Sequence, residues 1–226
     1  MSMHADVAGR GVTGVGEPVT VALVRHGETP MTPTGAYSGS GVPGPPLSEA
    51  GRVEAARAAT ILGRLGSDLF DDVPPPTTLI TSPMVRTRET AEVIAAHFGL
   101  SALVDDRAKE CNFGEWEGLK EDEIDARWPG ELDAWHTTGT TLAPGGESIA
   151  QVGERTHALL LDLLAEHAGS TVVVVAHAVT IRSVIGQCLL APPGGWWRLR
   201  LQSGSVSVIQ VYPDGLAKVL VAGLLD

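Results

Sequence analysis

The chain has 226 residues, 43% hydrophobic and 19% charged, which is the balance of a folded domain with a real core rather than of a disordered segment. A formal net charge of −11 argues against a nucleic-acid partner, which would require a basic face, but leaves room for a small phosphorylated ligand in a local positive pocket. Two cysteines, Cys111 and Cys188, are too few for a disulfide framework and form no CxxC pair. No apolar run is long enough for a bilayer, and the start of the chain lacks a signal-peptide pattern, so a reduced, cytoplasmic setting away from membranes is expected.

Residues 1–18, rich in glycine and small side chains, read as a mobile tail, with one domain over 19–226. "VTVALVR" (19–25) is a buried strand running into Arg25 and His26. "GSGVPGPPLSEAGR" has loop chemistry, and Ser48 is placed to cap a helix running from Glu49 through "RVEAARAATILGRL". "PPPTTLITS" leads into a short strand ending at Ser82. The next helix has Pro83 near its first turn, Arg86 within the first turn or so, and Gly99 past its end. "SALVDD" is a short strand, residues 107–118 are irregular, and 119–138 hold one or two short helices broken at "PG". Ser148 begins a third long helix. "STVVVVAH" is a strand buried on both faces that ends at His177, and "AVTIRSVIGQCLL" is a further helix. From "WRLRLQ" onward, the alternation with turns at "SG" and "PDG" predicts antiparallel strands. Strands alternating with helices predict an α/β domain with a mostly parallel sheet and an antiparallel edge.

Sites in open parallel sheets lie outside the carboxyl ends of the strands. Three such ends deliver Arg25 with His26, Ser82 with Arg86 shortly after it, and His177. If the three strands are neighbours, these groups meet, but spacing alone does not establish that they are.

Four stretches, "LVRHGET", "TSPMVRTRETA", "ECNFGEWEG" and "VVVVAHAVTIR", in this order and each on a fitting element, resemble the signatures of the histidine phosphatase superfamily in its phosphoglycerate-mutase-like branch. The resemblance runs from about Val19 to the C-terminal strands. In "YSGSGVPGPPLSEAG", "APGGES" and the C-terminal stretch it is nearest to the α-ribazole phosphatase and acid phosphatase subgroup. It implies a three-layer α/β sandwich with a mixed, mostly parallel sheet, and a hydrolase acting on a small phosphorylated metabolite without cofactor or metal. It also implies His26 as the nucleophile that becomes phosphohistidine, with Arg25 and Arg86 clamping the phosphoryl oxygens. His177 would hydrogen-bond the phosphoryl group in flight, and Glu110 would serve as proton donor to the leaving oxygen and then as activator of water. That double duty asks for a carboxyl able to hold a proton near neutral pH, which burial by Trp116 would favour.

The pattern departs from the family in two places. Thr32 stands where Asn is frequent, so a shorter hydroxyl would serve the phosphate. Ala178 stands where Gly is usual after the second histidine, keeping a backbone donor but adding a methyl group. Ser38 and Gly39, in "YSGS", match the pair that approaches phosphate with a hydroxyl and a backbone N–H, Gly39 allowing close approach.

Other readings compete. His26, His177 and Glu110 would make a zinc ligand set, but two guanidinium groups in the same pocket repel a cation. A cofactor-dependent mutase would hold a second phosphate, yet residues 118–144 are short and bring only Lys120 and Arg127 as cations. The same stretch points away from a carboxylated or bisphosphorylated substrate and toward a monophosphate with an uncharged or aromatic-binding far end. A non-catalytic phospho-ligand or protein-binding module would tolerate loss of the nucleophile or the acid, and both are present. An exposed strand edge leaves a homodimer open. Taken singly, Cys111 reads as a packing thiol, Arg88, His4, His97, His157 and His167 as surface residues, and His136 as facing either substrate or solvent.

Overall fold

The computed structural model describes residues 14–226. Its frame is a six-stranded sheet of order β3-β2-β4-β1-β5-β6. The strands are β1 (Val19–Arg25), β2 (Pro76–Thr81), β3 (Ala102–Val104), β4 (Thr171–Ala176), β5 (Val206–Val211) and β6 (Ala217–Leu224). β3, β2, β4 and β1 run parallel, β5 pairs antiparallel with β1, and β6 pairs antiparallel with β5. Arg25 pairs in register with Ala176, and Thr81 with Val175. The carboxyl ends of β1, β2 and β4 are therefore side by side, as convergence requires.

Six α-helices complete the domain: α1 (Glu49–Leu62), α2 (Val85–Phe98), α3 (Glu121–Arg127), α4 (Glu131–Thr138), α5 (Ile149–His167) and α6 (Ala178–Cys188). The period-2 alternation of β1 assigns its residues to two cores. Val19, Val21 and Leu23 pack with Leu159, Leu160 and Leu163 of α5 and Ile181, Val184 and Ile185 of α6. Ala22 and Val24 face the other way, against Ala58, Ile61 and Leu62 of α1 and Ala91 and Ile94 of α2. Buried on both faces, β4 is fully apolar after Thr171, which is why "VVVV" shows no alternation. This is the three-layer sandwich anticipated from the sequence.

Caps fall where their chemistry directs. The Ser48 hydroxyl accepts from the Gly51 N–H, and Ser148 forms a capping box with Gln151. α1 stops at Leu62, short of the expected "GRL", because the chain turns at Gly63 and again at Gly66, whose φ is +78°. Leu103 and Val104 lie exposed on the β3 edge.

The expected strand "WRLRL" does not form. Pro193–Arg198 is a 3-10 helix, and the carbonyls that follow bind side chains instead of a ladder: Leu199 accepts from Arg182 Nε and Leu201 from Arg25 Nη1, each at 2.6 Å. The turns at "SG" and "PDG" are present. Of the expected tail, residues 14–18 are described, and they lie against the domain. The Val15 N–H donates to Asp214 at 2.8 Å, and the Pro18 carbonyl accepts from Gly169 at 2.9 Å. The rest of that segment, including His4, lies outside the described residues.

Candidate active site

β1 ends at Arg25, and the His26 N–H donates to the Ala176 carbonyl of β4 at 3.0 Å, so the histidine begins the loop at the sheet's mouth. Its Nδ1 lies 2.8 Å from the Gly27 carbonyl, which can only accept, so Nδ1 carries the proton. Nε2 then keeps a lone pair, the requirement for a nucleophile. His177 is the N-cap of α6, fully buried. The two rings stand 5.1 Å apart between centroids, inclined by 60°.

Arg86, 1% exposed on the first turn of α2, ties these groups together. Its Nε–H is shared between His26 Nε2 at 3.3 Å and His177 Nδ1 at 3.2 Å. Nη2 donates to the carbonyls of Ser38 and Gly39 at 3.0 and 3.1 Å. A shared donor needs two acceptor nitrogens, so His177 carries its proton on Nε2, which meets Ser82 Oγ at 2.8 Å. Electrostatics agree. Burial first, then the Arg86 and Arg25 charges, hold the His26 pKa well below its ordinary value; burial, then Arg86 and His26, do the same to His177. Burial also lowers the pKa of Arg25 and of Arg86, with Glu110 opposing in both cases.

Glu110, 5% exposed, is held from three sides. Oε1 accepts from the Cys111 N–H at 2.9 Å and lies 3.4 Å from the Thr180 hydroxyl, which donates to the Lys109 carbonyl at 2.7 Å, and Oε2 accepts from the Val179 N–H at 3.3 Å. Trp116 is fully buried in the aromatic cluster that also holds Cys111, the residue after Glu110, but it is not part of the cavity wall. The cavity itself is about 620 Å³ and is lined by Arg25, His26, Arg86, Glu110, Thr32, Ser38 and Ala178 among others. His177 lies behind this wall, reached through Arg86. Among the described residues, Arg25 Nε, Arg86 Nη1 and Ser38 Oγ are buried without any hydrogen-bond partner. Thr32 Oγ1 already accepts from the Thr29 N–H at 3.0 Å and lies 3.2 Å from Thr29 Oγ1.

Gly39 departs from its expected place. Its N–H donates to both oxygens of the half-buried Glu117 carboxylate at 3.0 Å, and it does not line the cavity. A Cβ there would press on the Cys111 carbonyl and the Phe113 ring. The glycine therefore permits close packing beneath Ser38, and its N–H is not available to a phosphate. His136 faces the cavity, while Lys120 and Arg127 do not. His97 and His157 are exposed and His167 is half-buried. The Cys111 thiol is buried, and burial, then Glu110, push its pKa well up, consistent with packing. No group of three His, Cys, Asp or Glu among the described residues is arranged to hold a metal, and the Arg86 N–H occupies the space between the two imidazoles.

Among the wall groups that escaped the sequence reading are Thr29, Phe113, Glu121, Arg182 and Trp197. Arg182 was legible in principle, since it follows Ala178 by four positions and so shares its face of α6.

Two histidines and two arginines at the carboxyl edge of a mixed sheet define the phosphoglycerate-mutase-like class of α/β proteins. Residues 21–222 match the family described as histidine phosphatase superfamily (branch 1), and the chain belongs to it. The chain is 34% identical over 210 residues to the "Bifunctional protein Rv2228c" of Mycobacterium tuberculosis, covering 92% of this chain and 55% of that protein. It thus spans about half the length of that relative. It is 31% identical to "Phosphoserine phosphatase 1" of Hydrogenobacter thermophilus, covering 85% of this chain and 87% of the relative. Among solved structures, the mycobacterial glucosyl-3-phosphoglycerate phosphatase Rv2419c in complex with VO3 is similar at a TM-score of 0.78 and 29% identity, covering 90% of this chain and 98% of the other. No described helix is long and apolar enough to cross a membrane.

Proposed function

We propose that the chain is a metal-independent phosphomonoesterase that hydrolyses a small phosphorylated metabolite through phosphohistidine at His26. The observation that carries this is the set of unpartnered polar groups, Arg25 Nε, Arg86 Nη1 and Ser38 Oγ, buried beside a neutral imidazole nitrogen. Buried donors without acceptors are costly, and a phosphoryl group supplies acceptors in the geometry guanidinium favours.

In the first step His26 Nε2 forms a bond to phosphorus while the ester P–O bond breaks. Glu110, protonated, gives its proton to the leaving oxygen. Arg25, Arg86, Ser38, the Ala178 N–H at the start of α6 and the Thr32 hydroxyl hold the equatorial oxygens. In the second step Glu110 takes a proton from water, the water oxygen bonds to phosphorus, and the P–N bond returns its electrons to His26. His177 must present a proton from Nδ1 to a phosphoryl oxygen. That tautomer is reached by loss of the Nε2 proton and gain of one at Nδ1 through exchange with water, Arg86 Nε then donating to His26 alone, and the Ser82 hydroxyl turns to donate to Nε2. Two unpaired thiols fit a reducing compartment such as the cytoplasm.

Turnover of an aryl phosphate tests the reading. Activity persisting in chelator, abolished in His26→Ala, and accompanied by phosphohistidine trapped on His26 under alkaline quench supports it. Glu110→Gln is expected to slow turnover by roughly 10²–10⁴-fold. Release requiring added divalent metal overturns it, and stimulation of phosphoglycerate isomerisation by a bisphosphate would assign a mutase instead.

A further inference from the structure

Glu110 sits where the chain has no ladder or helix to hold it: residues 110–113 are irregular, between the 3-10 helices Asp106–Ala108 and Gly114–Trp116. Its main chain is gripped instead by side chains from two helices. Arg155 of α5 donates from Nη2 to the Glu110 carbonyl at 3.0 Å and from Nη1 to the Arg107 carbonyl at 2.7 Å. The Thr180 hydroxyl of α6 holds the Lys109 carbonyl between them. Arg155 is itself aligned by Glu147, Nε to Oε1 at 3.1 Å and Nη2 to Oε2 at 3.3 Å, in a pair that is mostly buried. The same Oε2 accepts from the Asn112 N–H at 2.8 Å, and the Glu147 N–H donates back to the Asn112 carbonyl at 2.7 Å. Gly146 permits this approach, since a Cβ there would strike the Asn112 carbonyl. Neither Arg155 nor Glu147 lines the cavity.

We propose that Arg155 is the positioning residue for the proton donor: aligned by Glu147, it sets the main chain of Glu110 so that the carboxyl meets the leaving oxygen. The inference rests on the role proposed above for Glu110. Four of the five guanidinium N–H groups have acceptors, two of them carbonyls three residues apart, a span that suits a planar fork and not the point charge of a lysine. Without the guanidinium, both carbonyls lose a donor and Glu147 keeps a mostly buried charge without its partner, so the stretch must rearrange. The carboxyl moves with it, because Oε1 accepts from the Cys111 N–H of the same main chain. Proton transfer tolerates little of this, a displacement of about 1 Å costing about 10²-fold. Arg155 and Glu147 form no hydrogen bond with Arg25, His26, Ser38 or Arg86, so the grip on the phosphoryl group is built separately.

The test compares kcat/KM for two esters of similar shape, 4-methylphenyl and 4-nitrophenyl phosphate. This parameter ends at ester cleavage, so the later work of Glu110 on water does not enter it. 4-Nitrophenolate leaves unaided, whereas 4-methylphenolate gains from a donated proton, and Glu110→Gln is the benchmark, its loss concentrated on the methylphenyl ester. Arg155→Met is expected to lower kcat/KM for the methylphenyl ester by about 10–100-fold and for the nitrophenyl ester far less, with calorimetric affinity for inorganic phosphate unchanged. Arg155→Lys should recover part of the loss, and in the Glu110→Gln background Arg155→Met should cost little more. Equal losses on both esters, or a matching loss of phosphate affinity, mark a general structural effect and overturn the proposal. So does a folded Arg155→Met with wild-type kinetics. If that variant does not fold, Glu147→Gln decides in the same way, since its amide still accepts from the Asn112 N–H but no longer pairs charge for charge with Arg155. A wild-type protein that cleaves neither ester, or a Glu110→Gln that slows both alike, removes the proton-donor role and this inference together.

Discussion

The neutrality of the buried histidine pair makes stability depend on pH in a calculable way. His26 is 7% exposed and His177 0%, and both offer lone pairs to one Arg86 N–H. Each folded-state pKa lies well below the ordinary 6.5, so on acidification the unfolded chain takes up protons that the folded protein refuses. The contribution is complete above 6.5 and is lost as pH falls toward the folded values. At pH 5.5, one unit below the unfolded value, linkage gives a loss of at most about 1 kcal/mol or a little more per histidine, or roughly 3 kcal/mol for the pair. Urea unfolding at about pH 7.5 and 5.5 measures it. Asp68, Asp105 and Asp214, whose pKa values are lowered from 3.8, act mainly below this window. His136, lowered by burial, adds to the loss with the same sign. His26→Gln and His177→Gln isolate the pair, since the amide oxygen still accepts from Arg86, and each is expected to remove about half of the loss. A wild-type loss under about 0.5 kcal/mol, or variants that lose as much as wild type, would refute the neutral pair. Activity should follow the same logic, with the acid limb of kcat/KM well below 6.5 and moving upward in Arg86→Met.

Ser82→Ala removes the hydroxyl that donates to His177 Nε2 in the working tautomer, and the cost of the buried acceptor left unpaired there predicts a fall in kcat/KM of roughly 10–100-fold. Because Ser82 positions rather than reacts, the ¹⁵N shifts of His177 should also report a changed protonated nitrogen; unaltered shifts together with unaltered kinetics would remove Ser82 from the mechanism. Gly39→Ala forces a methyl group against the Cys111 carbonyl, Glu117 and Phe113, with an expected loss of about 1–3 kcal/mol in denaturant unfolding and weaker phosphate affinity through Ser38. Unchanged stability would mean that the loop yields freely.

The sheet was legible in the sequence because its central strands are apolar runs ending at polar residues, and burial on both faces forbids any other arrangement of "VALV" and "VVVV". His26, Arg25 and Arg86 were legible because each sits at an element's end, whereas Glu110, in an irregular stretch, came into view only through the resemblance of "ECNFGEWEG". "WRLRL" misled because alternation reports only which faces are apolar. It does not reveal that two guanidinium groups claim the carbonyls of Leu199 and Leu201. The Gly39 N–H was misassigned for a similar reason: Glu117, distant in sequence, competes for it. The preparation of His177 by Ser82 depends on a contact between residues 95 positions apart, which no local pattern records.

Those same two carbonyls have a mechanical consequence. The segment from Leu199 to Leu201 sits directly before the β5–β6 hairpin, and it fixes two cations on the cavity wall, one of them in the proposed phosphoryl site. The C-terminal hairpin thus works as the far end of a brace: nicking or prying loose this stretch would leave both arginines charged but pointing nowhere in particular, disarming the cavity without altering any residue inside it.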